Sequence, residues 1–197
     1  MKDLEARIRK FFEPLGQRFR DVVTPRQLYG IEKDEFAARL AQVVVWIGYL
    51  QWRYEDEGVL HPRLKSSSRP HPQELPHPIL QDKYDRNEPD HIQCADAILR
   101  YDAEGKPYEP EWPEVDVIMG NPPFLGGKRL RTELRDAYVD QLFALYEGRV
   151  PHEADLVCYW YEKARARLEQ DKAKRVGLLA TNSIRGGANR IVLNRVK

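Results

Sequence analysis

The sequence predicts an α/β fold, a mostly parallel sheet with helices on both faces and ligands gathered where the strands end. Two observations carry this. Short apolar runs alternate with segments of helical period, and the 197 residues are 42% hydrophobic and 32% charged, ordinary for a globular domain with a real core.

Met1 to Arg20 sets Leu4, Ile8, Phe11, Phe12 and Leu15 at helical spacing, broken at Pro14, and reads as a helix. Gln27 to Glu32, after Pro25, is a short strand. Asp34 then opens a helix to about Tyr54, in which Phe36, Leu40, Val43, Val44 and Ile47 recur every 3.6 residues. Across 58–90, six prolines and three successive serines predict an irregular insertion. His91 to Ala95 and Val115 to Gly120 read as buried strands, separated by a Pro- and Gly-punctuated connection. Helices are expected at about Thr132 to Glu147 and Ala154 to Gln170. Lys174 to Thr181 is the last strand, and a Gly-rich basic loop, Asn182 to Arg190, comes after it.

A net charge of +1 gives no global attraction to a polyanion, so any nucleic-acid site must be local. Cys94 and Cys158 lack metal-ligand spacing and read as reduced thiols, and His61, His71 and His77 each precede a proline in no metal-binding pattern. No metal is expected. The longest apolar run, Val43 to Gly48, is too short for a bilayer, and Met1 opens a charged stretch unlike a signal peptide. A cytoplasmic protein without a membrane partner is the expectation.

At the carboxyl end of the Val115 to Gly120 strand stand Asn121, Pro122, Pro123 and Phe124. As a bare tetrapeptide this is also a turn. It resembles the signature of the amino-group methyltransferases that use S-adenosylmethionine, and the physical logic is direct. An adenine amino group is a poor nucleophile because its lone pair is delocalised into the ring. The Asn121 side-chain oxygen and the Pro122 carbonyl can each accept one of its N–H bonds and turn the lone pair towards a methyl donor. Pro122 and Pro123 restrict the backbone and add no competing donor. Phe124 offers a face for the base, which in duplex DNA must first be flipped out.

The resemblance implies a Rossmann-like methyltransferase sheet. It assigns Glu32, ending one strand, to the cofactor ribose, and Asp96, ending the next, to the cofactor adenine with Ile98 as an apolar wall. Ala154-Asp155-Leu156 and the run from Val176 to Ile184 resemble the fifth motif and following strand of the large bacterial adenine methyltransferases of restriction and phage-defence systems. Asp155 is thereby a candidate contact to the target base, although an early-helix Asp also serves as a cap.

The family's first strand, its Gly-rich turn and its target-recognition domain find no counterpart. Residues 1–197 therefore read as a partial catalytic domain with an insertion at about 58–90, expected to bind S-adenosylmethionine weakly or not at all and to be inactive alone. DNA is the expected partner, because Lys128, Arg129, Arg131 and Arg135 stand against the single acid Glu133, and Arg185 to Lys197 holds four basic residues and no acid. The same signature also serves enzymes acting on a protein glutamine amide or an RNA base. A non-catalytic nucleic-acid-binding fragment is the alternative of a different class.

Overall fold

The computed structural model describes residues 25–57 and 91–196. The expected helix over Met1 to Arg20 and the insertion at 58–90 lie outside them. The chain divides into two compact units, Met1–Ala95 and Asp96–Lys197.

In the first unit, Pro25–Gln27 forms a single 3-10 turn and the strand β1 is confined to Gly30–Glu32. The predicted strand is shortened from its front, because Pro25 favours a turn start. Helix α1, Glu35–Glu57, begins at a side-chain cap in which Asp34 Oδ1 accepts the Ala37 N–H at 2.7 Å. Strand β2, Ile92–Cys94, pairs parallel to β1 with Gly30 opposite Ile92 and Glu32 opposite Cys94. Among the described side chains of α1, Ala38 and Trp46 are buried, whereas Phe36, Leu40, Val44 and Ile47 of the predicted apolar stripe are exposed.

In the second unit, Arg100–Tyr101 (β3) and Pro107–Tyr108 (β4) make a small antiparallel hairpin inside the stretch expected to be an irregular connection. Asp102 closes it, accepting the Glu104 and Lys106 amides at 3.1 and 2.7 Å, while Gly105 takes a positive φ of 79°. Val117–Gly120 (β5) and Arg175–Leu178 (β6) pair in parallel, with Val117 opposite Arg175 and Gly120 opposite Leu178. The expectation of a buried β5 fails: Val117 and Met119, two residues apart on one face, are 46% and 81% exposed, and among the described residues only β6 pairs with this strand.

The predicted helix from Thr132 to Glu147 is two helices, α2 (Leu130–Leu134) and α3 (Asp136–Leu145), broken at Arg135, whose φ of 69° and ψ of 149° no helix accepts. Helix α4 spans Val157–Glu169, and part of the expected basic loop is helix α5, Gly187–Arg195. Leu130, Val139, Leu142, Val157, Tyr159 and Val192 from these helices, with Tyr146 just after α3, close a core with Ile98 and Leu99. Each fully buried aliphatic side chain there contributes about 1.5–3 kcal/mol. The Tyr146 hydroxyl is satisfied by the Ile98 carbonyl at 3.0 Å.

A second, ionic tie holds the segment before β5 to α4. The Lys163 side chain, 5% exposed, donates to Glu109 at 3.3 Å and to the Pro110 carbonyl at 2.5 Å, and lies 5.1 Å from the Trp112 ring centroid. Arg149 donates to the other Glu109 oxygen at 2.5 Å. Burial would by itself raise the Glu109 carboxyl, but the Arg149 hydrogen bond and the Lys163 charge more than reverse this and hold it below the ordinary range.

Candidate active site

Because β5 and β6 run parallel, both end at one rim, and the Leu179 N–H bonds the Gly120 carbonyl at 3.0 Å just past the paired residues. The Asn121-Pro122-Pro123-Phe124 segment leaves β5 at this rim. Asn121 and Pro123 are exposed, Phe124 is 50% exposed and Pro122 is buried beneath them. The segment is thus anchored by one proline and open to solvent on its remaining side chains. Neither the Asn121 amide nor the Pro122 carbonyl takes a hydrogen bond among the described residues.

Beyond Phe124 the chain is fastened. The Leu125 carbonyl accepts the Leu156 N–H at 2.8 Å, and the Gly127 N–H donates to Asp155 Oδ1 at 2.9 Å. Gly127 must lack a side chain, since a Cβ would stand 2.3 Å from the Glu153 carbonyl oxygen. Asp155 Oδ2 accepts the Ser183 hydroxyl at 2.8 Å and the Asn189 amide at 2.7 Å. The Asp155 carboxylate therefore makes no side-chain cap on α4, whose first turn has none.

Asp96 opens the second unit. Its Oδ1 accepts the Ile98 and Leu99 amides at 3.0 and 3.2 Å, and its Oδ2 accepts the Tyr138 hydroxyl from α3 at 2.9 Å. Burial, followed by the Asp96 charge, raises the Tyr138 phenol far above its ordinary value, so this donor keeps its proton. Ile98 is fully buried in the core. Glu32 belongs to the first unit, where its carbonyl accepts the Ala95 N–H at 2.8 Å and its Oε1 accepts the Asp34 N–H at 2.9 Å.

Of the basic residues after Phe124, Lys128 and Arg129 lie on a 3-10 turn (Gly127–Arg129) and Arg131 on α2, while Arg135 stands at the break between α2 and α3. They divide by partner. Arg129 pairs with Glu133 at 2.5 Å, and Arg131 bridges Asp136 and Asp140 at 3.0 and 2.8 Å. Lys128 and Arg185 are exposed and unpaired among the described residues. Arg185 ends a 3-10 turn, Asn182–Arg185, on the β6 side of the rim. Sequence reading missed Tyr138, Ser183 and Asn189, whose partners lie 42, 28 and 34 residues away.

A family model described as MmeI, DNA-methyltransferase domain, matches residues 1–195. The chain belongs to this family. Its fold is accordingly the mixed α/β, mostly parallel arrangement of a Rossmann-like methyltransferase. The chain is also 26% identical over 181 residues to a protein of Bacillus subtilis (strain 168) described as DNA methyltransferase A. That match covers 91% of this chain but 18% of the relative, so the chain spans about a fifth of the relative's length. No solved structure gives a significant match. Among the described residues, no helix of this MmeI-type domain is long and apolar enough to cross a membrane.

Proposed function

We propose that this MmeI-type domain serves transfer of a methyl group from S-adenosylmethionine to the exocyclic amino nitrogen of an adenine flipped out of DNA. The reading rests on one observation above others: at the open end of β5, the Asn121 amide and the Pro122 carbonyl are two acceptors with no partner among the described residues. Both can take N–H bonds from the same amino group and localise its lone pair. Half-exposed Phe124 supplies the stacking face, worth about 1–3 kcal/mol per base. That is comparable to the few kcal/mol lost when a base leaves the duplex.

The acidic groups after β1 and β2 suit a cofactor rich in hydroxyl and amino donors. Glu32, exposed and with Oε2 unpartnered among the described residues, would take the ribose hydroxyls. Asp96, held in place by two amides and Tyr138, would face the adenine amino group. Ile98 does not suit the role of an open apolar wall, because its side chain is spent in the core. When bound, the cofactor's sulfonium supplies a methyl already activated for transfer. DNA would be held at the rim first by Lys128 and Arg185, and less by Arg129 and Arg131, whose charges carboxylates already meet.

The test, run on a longer protein that carries this domain together with a Gly-rich cofactor turn, is methyl transfer from labelled S-adenosylmethionine to adenine-containing DNA, paired with calorimetry of cofactor binding. Asn121→Ala is expected to abolish transfer and leave cofactor affinity within about twofold, since it removes an interaction made with the base alone. Unchanged transfer by this variant would refute the reading.

A further inference from the structure

We infer that Asp155 is a positioning residue, whose carboxylate locks the loop after Phe124 to the loop after β6 so that the two sides of the rim hold one geometry. This rests on the reading of Asn121 to Phe124 as the base-binding segment.

Asp155 gathers three donors from three segments: Gly127 after the tetrapeptide at 2.9 Å, Ser183 after β6 at 2.8 Å, and Asn189 in α5 at 2.7 Å. The Asn189 side chain returns the contact, accepting the Asp155 N–H at 2.7 Å and donating to the Ser183 carbonyl at 3.1 Å. Three of the roughly four lone-pair positions of a carboxylate are thereby filled. Asp155 thus acts on the base through Gly127 rather than by touching it. The close approach of Gly127 to the Glu153 carbonyl and the Leu156 to Leu125 backbone bond bring the loop within reach of this carboxylate. Bonds to a charged acceptor are the stronger kind, so one ion can hold two otherwise independent loops. Arg185 stands two residues beyond Ser183, so a phosphate held there would sit beside this clamp.

The experiment is hydrogen exchange on the full chain for wild type, Asp155→Ala and Ser183→Ala. Asp155→Ala is expected to speed exchange of the amides of 124–128 and 181–186 together, by about tenfold, with β6 and the last turns of α4 unchanged. A response in only one loop, in neither, or spread evenly over α4 and β6 would overturn the proposal. Should Asp155→Ala fail to fold, Ser183→Ala removes a single hydroxyl and must show the same joint response. In the methyl-transfer assay, Asp155→Ala should lower kcat about tenfold and leave KM for the cofactor within about twofold. A loss confined to KM would overturn it. Full turnover by Asn121→Ala would defeat the base-binding reading while the exchange result still decides the clamp.

Discussion

The Tyr138 hydroxyl donates to Asp96 Oδ2 at 2.9 Å, joining α3 to the residue just beyond β2 in the chain. With the Ile98 and Leu99 amides on Oδ1, this bond fixes the plane of the Asp96 carboxylate. Tyr138→Phe should cost about 1 kcal/mol of stability, read as a lower denaturant midpoint at unchanged slope. If Asp96 faces the cofactor, calorimetry should also show affinity reduced severalfold.

Glu32→Ala separates the cofactor from the base. It should weaken S-adenosylmethionine binding by about tenfold, the worth of a hydrogen bond to a charged group, before it alters turnover at saturating cofactor. Titration calorimetry beside a saturation curve, both on the longer protein used for the methyl-transfer test, reads both.

Arg135 holds a backbone conformation at φ 69° and ψ 149° that glycine adopts freely and other residues seldom do. Arg135→Gly should therefore raise stability by about 1 kcal/mol, visible as a higher midpoint in thermal unfolding. A lower midpoint would mean the arginine side chain is worth more than the strain it imposes.

Glu109 carries a pH signature. Its folded-state carboxyl lies below the ordinary value of about 4.3, so its contribution is complete above that pH and is lost as pH falls through the lower folded value. Glu109→Gln leaves Lys163 as a buried ammonium short of its counter-charge, at a cost of about 2–3 kcal/mol near neutrality. The gap between variant and wild type should close in unfolding curves taken below about pH 4.

Parts of this architecture were legible in residue order. The helix α4, the start of α1 at the Asp34 cap, and the strands β5 and β6 as apolar runs were readable, although the exposure of β5 was not. The break at Arg135 was not, because no glycine or proline marks it. The β3–β4 hairpin escaped because two-residue strands are too short to alternate, although Asp102 and Gly105 carried the turn. The Asp155 contacts join residues 28 and 34 apart by side-chain reach, and no periodicity encodes such a distance. The apolar stripe of α1 misled for another reason: helical period reports a helix, while burial depends on what packs against it.

The uncovered face of β5 bears on handling the protein. A thioether as bare as that of Met119, on a strand that β6 alone pairs among the described residues, is an adhesive that neighbouring molecules can share. Concentrated samples should self-associate through this flank, and Met119→Lys should keep them monodisperse in light scattering.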